Sequence, residues 1–266
     1  GNTLGYPPAP SDATTPAVRV LANTADVNLA VDAYDAEGHD WKAQSLVAVA
    51  ETGKTLSLTQ GAPLVDGKYE GLNAILVWND FWKLGAGILD VSAPVKYRTN
   101  GSGSTLNVAA GTMTLRHPLI AAEPPQGVSP ITLPTSVNVA EGAILEYALE
   151  ASPETLAAIN GKYEPLQQIF TGKVTGEGTL RVTGEANVVT IQSTVDSELN
   201  LDVAKGTLVM ASDLGFAGFN QSNRAIKVAA GAQVNVTKEH AMGAAANVAW
   251  TLVADADETQ GAKVST

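Results

Sequence analysis

One six-residue pattern limits what this chain can fold into: apolar, polar, Val, Ala, any residue, Gly. It stands at Leu106–Gly111, Val137–Gly142, Leu201–Gly206 and Ile226–Gly231, with a looser copy at Val47–Gly53. Each copy is followed by a second apolar stretch, as in Thr112-Met113-Thr114-Leu115 and Thr207-Leu208-Val209-Met210. Alternation before the glycine puts every second side chain on a core face. Each copy therefore predicts a strand, a tight turn at Gly and a second strand. The glycine supplies a backbone conformation that a Cβ would forbid.

A longer duplication lies over the short one. Asp66-Gly67-Lys68-Tyr69-Glu70 recurs as Asn160-Gly161-Lys162-Tyr163-Glu164, and Leu72 and Ile75 recur as Leu166 and Ile169, all 94 residues on. Gly85-Ala86-Gly87-Ile88-Leu89-Asp90-Val91 recurs as Gly176-Glu177-Gly178-Thr179-Leu180-Arg181-Val182, now 91 residues on. Val108–Thr112 recurs at Val203–Thr207, 95 residues on. The changes in offset locate insertions, which belong in surface loops. The division expected is an N-terminal segment with a flexible start (1–41), one β repeat unit (42–131), a second (132–224), and a partial third unit or C-terminal cap (225–266). The Pro-rich stretch Pro118–Pro134 reads as the connector between units. Helix is scarce. One short helix is expected over Ser152–Gly161, with Ser as N-cap, Pro at the first helical position and Gly at the end.

The segments Gly176-Glu177-Gly178-Thr179-Leu180 and Gly206-Thr207-Leu208-Val209, with the poorer copy from Gly85 to Leu115, resemble the autotransporter-associated β-strand repeat. That repeat opens on Gly-x-Gly-x-Leu-x-apolar and closes on a strand with Gly-Thr-Leu. The resemblance covers about a third of the chain. It implies an exported or cell-surface bacterial protein built as a parallel β-solenoid, whose rungs are stable only when stacked. Two tandem β-sandwich-like domains are the alternative, since a unit of about 95 residues is sandwich-sized.

Composition excludes several classes. With 27 acidic and 16 basic residues the chain carries a formal charge of −11, and no basic stripe offsets it. Nucleic acid and anionic membranes are poor partners for such a surface. The absence of cysteine rules out disulfides, thiolate nucleophiles and Cys-ligated zinc. No apolar run is long enough for a transmembrane helix. Gly1–Pro16 lacks the basic and apolar regions of a signal peptide and reads as a tail that follows a removed one.

The search for chemistry leaves few candidates. His39, His117 and His240 are scattered and match no metal-binding spacing. Asp32, Asp35, Glu37 and Asp40 cluster around Gly38-His39, and oxygen ligands around a glycine turn would suit calcium. A solvated acidic loop explains them as well. Glu51-Thr52-Gly53-Lys54-Thr55 looks like the end of a P-loop, but Ala48 stands where its first glycine is required. No Gly-x-Ser-x-Gly elbow or Asp-Thr/Ser-Gly pair is present. The catalytic residues of a hydrolase, if it is one, stay unknown at this level, because carboxylates gathered on one solenoid face carry no linear motif.

One segment stands apart. Trp78-Asn79-Asp80-Phe81-Trp82 lies between Ile75 and Gly85, and the matching interval of the second unit has neither tryptophan. The repeat itself does not need these aromatics. Trp faces stack on sugar rings, and Asp or Asn beside them bind hydroxyls. The competing reading is that they fill or cap the end of the core. Trp41, Tyr69, Tyr163 and Trp250 read as structural. The function expected is binding of an extracellular glycan or glycoprotein. The alternatives are a secreted carboxylate hydrolase and a structural spacer in a surface assembly.

Overall fold

The computed structural model describes residues 2–4, 18–31, 41–43, 45–60, 75–77, 79–97, 104–121, 136–151, 166–192, 199–211, 225–237, 249–252 and 263–265. The segments Asp32–Asp40 and Ser152–Gly161, and residue Trp78, lie outside them. The described strands wind as successive turns of one coil. β1 (Asn2–Leu4) precedes β2 (Val18–Asn23), β3 (Val27–Val31) and β4 (Trp41–Ala43). The next turns are β5 (Ser45–Ala50), β6 (Thr55–Gln60) and β7 (Ile75–Val77), then β8 (Asp80–Leu84), β9 (Ile88–Val91) and β10 (Val95–Tyr97). β11 (Thr105–Val108), β12 (Thr112–Leu115) and β13 (Ile120–Ala121) make the fourth. β14 (Ser136–Val139), β15 (Ile144–Tyr147) and β16 (Gln167–Phe170) make the fifth, and β17 (Lys173–Thr175), β18 (Thr179–Val182) and β19 (Val188–Ile191) the sixth. Three two-strand turns follow: β20 (Asn200–Val203) and β21 (Thr207–Met210), β22 (Ala225–Val228) and β23 (Gln233–Val236), β24 (Ala249–Leu252) and β25 (Lys263–Ser265).

Like strands of successive turns pair side by side into four sheets. Sheet A holds β1, β3, β6, β9, β12, β15, β18, β20, β22 and β24, and sheet B runs from β2 through β5, β8, β11 and β14 to β17. Sheet C holds β4, β7, β10 and β13, and sheet D holds β16, β19, β21, β23 and β25. Every described pair is parallel, with the partner one turn away along the chain: Thr179 faces Asn200, and Ser136 faces Lys173. This is a parallel β-solenoid, and the antiparallel sandwich alternative falls. Sheet A runs unbroken across the boundaries at 42, 132 and 225.

The core follows from strand alternation. Leu56, Leu89, Met113, Leu145, Leu180, Leu201 and Ile226 stack at one inward position of sheet A. Leu58, Val91, Leu115, Tyr147, Val182, Val203 and Val228 stack at the next. All are buried. Sheet B adds Leu46, Phe81, Leu106, Val137 and Val174. Trp250 holds the register position beside Ile226.

Glycines turn the corners. Gly53, Gly85, Gly111, Gly142 and Gly176 link sheet B to sheet A with φ between 65° and 111°, and Gly206 and Gly231 link A to D. The two corners explain the duplication. Gly85–Val91 and Gly176–Val182 occupy the same corner, and Leu89 and Leu180 share one core ladder. Val108–Thr112 turns from B to A, whereas Val203–Thr207 turns from A to D. The pentapeptide thus encodes a strand–corner–strand junction whichever sheets it joins.

The third side of the coil changes from sheet C to sheet D after β13, and two buried amides stitch that seam. Gln168 Oε1 accepts from Leu119 N at 2.8 Å, and its Nε2 donates to Ile169 O at 3.1 Å. Asn187 Oδ1 accepts from Leu149 N at 2.6 Å and its Nδ2 donates to Leu149 O at 2.9 Å, so one side chain stands in for a strand. Without them these backbone groups would be buried and unpaired.

Stacking distance also separates the glycines. A Cβ on Gly85 would lie 2.2 Å from Ala50 O, whereas one on Gly53 meets nothing within 4 Å. Gly53→Ala pays only for its left-handed backbone, about 1–2 kcal/mol. Gly85→Ala adds a backbone clash worth about 1–3 kcal/mol more. Urea midpoints of the two variants should fall in that order, and equal midpoints would refute close stacking at this corner.

Candidate functional site

Alternation along β8 sorts the predicted binding residues. Phe81 and Lys83 point inward and are fully buried, while Asp80, Trp82 and Leu84 face outward. Phe81 belongs to the core ladder of sheet B. Trp82 is 37% exposed, and Asn79 is exposed beside the strand. On the outer face Trp82 lies between Val47 of β5 and Asn107 of β11. Val47 and Val49 are half-buried on β5, and Val20 of β2 is 63% exposed, so this end of the face is apolar.

The other side of Trp82 is polar and bonded. Asn107 Nδ2 donates to Thr105 Oγ1 at 2.7 Å, and Thr105 Oγ1 donates in turn to Asp80 Oδ1. The relay fixes the Asp80 carboxylate next to the indole. Indole face, carboxylate and hydroxyl together suit a ligand with an apolar ring face and hydroxyl edges.

Behind Trp82 sits a feature with no motif to announce it. Lys83 takes an inward position that Ala48 and Val108 fill on the neighbouring strands. Its Nζ donates to Leu84 O at 3.1 Å, Gly85 O at 2.6 Å and Ala110 O at 2.9 Å. All three ammonium donors are thereby used on corner carbonyls. Burial lowers its pKa to about 8. A lone Lys inside an alternating strand was the only sequence sign, and it reads as surface until register is known.

Several other described ionisable groups pair within the sheets. On the outer face of sheet A, Arg116 bridges Asp90 at 2.7 Å and Glu150 at 2.5 Å, and Arg181 pairs with Asp202 at 2.8 Å. The Asp90 hydrogen bond raises the Arg116 pKa above its ordinary value. Thr183 donates to Glu146 at 2.9 Å. These carboxylates already have partners within the sheet. Tyr97 and Tyr147 are fully buried, with no hydrogen bond to either hydroxyl among the described residues, and burial raises both pKa values well above the usual phenol value. The Asp80 charge adds to the rise at Tyr97. His117 is buried with Nδ1 3.1 Å from Pro118 O. Among the described residues no three His, Asp or Glu converge on a metal-sized site, and no helix is long and apolar enough to cross a membrane. The acidic run Asp32, Asp35, Glu37, Asp40 proposed for calcium lies outside those residues.

No protein-family model, curated protein or solved structure matches this chain.

Lys83 yields a signed pH dependence. Its folded pKa of about 8 lies below the unfolded 10.5, so the unfolded chain holds more protons in that window. Stability therefore rises with pH between about 8 and 10. Above about 10 the buried phenols oppose it, because their folded pKa values are raised. Urea midpoints from pH 7 to 10 should rise for the native chain more than for Lys83→Met. Parallel curves would show that Lys83 does not carry the linkage.

Proposed function

We propose that this chain is an exported or cell-surface β-solenoid that binds an extracellular glycan or glycoprotein through the outer face of sheet B. The observation that carries the reading is Trp82, a large indole left 37% exposed on the outer face of sheet B beside a hydrogen-bonded Asp80. Folding does not require an aromatic here, since the same column holds Val47, Asn107 and Asn138 on neighbouring strands. An indole face packs against the C–H face of a sugar ring, and Asp80 is placed to accept from its hydroxyls. The Gly176–Val182 corner, which resembles the autotransporter-associated β-strand repeat, is what favours the location.

Four carboxylates of sheet A are poorly placed to serve as the acid and base of a hydrolase. Asp90, Glu146, Glu150 and Asp202 are engaged by arginine or threonine within sheet A. A paired-carboxylate reaction needs one acid and one base free to reach the substrate.

The test is acrylamide quenching of tryptophan emission during titration with soluble mucin-type and β-linked glycans. One of them should protect the emission. Trp82→Ala should weaken that ligand about ten-fold or more, as truncating a central aromatic anchor does. Equal affinity in native chain and variant would sink the assignment.

A further inference from the structure

The polar columns of sheet B continue past Trp82. Trp82 is followed by Asn107, Asn138 and Thr175, and Asp80 by Thr105, Ser136 and Lys173, one residue of each column per turn. Strands lie about 4.8 Å apart, so these side chains repeat along the solenoid axis at that interval. The interval is close to the advance per sugar of an extended β-1,4-linked pyranose chain. Successive sugars of such a chain present opposite faces, so a polymer with the period of the protein can repeat one kind of contact on every second turn. Asn107 is buried, which leaves Trp82, Asn138 and Thr175 as the accessible members of the first column.

Four further observations bear on the track. On the β5 side of Trp82 the column turns to Val47 and Val20, which offer no hydrogen bond. On the other side sheet B ends at β17, so the polar run spans four turns, from β8 to β17. Its side chains are held in advance: Thr105 bonds Asp80, Asn107 bonds Thr105, and Thr175 Oγ1 donates to Asn138 Oδ1 at 3.2 Å. Pre-set rotamers reduce the entropy lost on binding. The formal charge of −11 and the carboxylate of Asp80 disfavour a polyanionic chain.

We infer that sheet B binds a linear, uncharged β-1,4-linked glycan laid along the solenoid axis, one sugar per turn. The first ring stacks on Trp82 and the fourth lies at Thr175. This rests on Trp82 as the sugar-stacking residue, and adds the class, direction and length of the ligand.

The experiment is calorimetric titration of the full chain with β-1,4-linked glucose and N-acetylglucosamine oligosaccharides of two to six units. The two series share a backbone and separate the sources. Affinity should rise about five-fold per sugar to the tetramer, the factor that one net hydrogen bond supplies, and level off at five and six. Thr175→Ala should remove the gain from the fourth sugar, and Asn138→Ala the gain from the third, with thermal midpoints confirming folded variants. Binding that depends on Trp82 but not on length would overturn the axial track and leave the Trp82 reading intact. Binding of mucin-type glycans alone would overturn the ligand class. No binding of either kind would overturn both readings.

Discussion

In a parallel coil the backbone of each strand finds its backbone partners on the turn before and the turn after it. No turn can satisfy its own N–H and C=O groups, so the stack forms as a whole. This imposes one rule on the sequence: inward positions must match from turn to turn. The two ladders of sheet A obey it with Leu, Met, Val, Ile and Tyr, from Leu56 to Ile226 and from Leu58 to Val228. A slip of one residue would turn either ladder to solvent. The same rule brings corners into contact, which is why a Cβ at Gly85, Gly111 or Gly176 would collide with backbone one turn away.

Where the stack changes shape, side chains take over from backbone. The shift from sheet C to sheet D leaves Leu119 and Leu149 with backbone groups that no described strand pairs, and Gln168 and Asn187 bond them. Lys83 acts similarly at a regular corner, closing three carbonyls with one ammonium. Each is a polar group placed at an apolar position. A buried carbonyl or N–H without a partner costs about as much as the hydrogen bond it lacks.

The outer faces escape the matching rule, so they are where individuality can accumulate. Sheet A uses its outer face for ion pairs and hydroxyl contacts such as Arg116 with Asp90 and Glu150. Such exposed pairs contribute little to stability. Sheet B is divided between valines at one end and hydroxyls and amides at the other, and Trp82 marks the division. A large, partly exposed side chain that no neighbour in its column resembles is the strongest pointer to a ligand on this molecule.

Alternation and glycine spacing are local properties, and both can be read from the chain. They determined that strands would be short, that Gly111 and Gly206 would turn corners, and that Leu106, Val137, Leu201 and Ile226 would face a core. They also marked Trp78–Trp82 as foreign to the repeat, though not that alternation would divide it, with Phe81 inward and Trp82 outward. Register decided the rest. Only stacking shows that Val108–Thr112 and Val203–Thr207 turn between different pairs of sheets, that Lys83 is buried among carbonyls, and that Asn187 clamps a residue 38 positions away. Sequence periodicity specifies which face a residue takes. Which residues meet across turns depends on loop lengths that carry no periodic signal, so partners are assigned only when the coil closes.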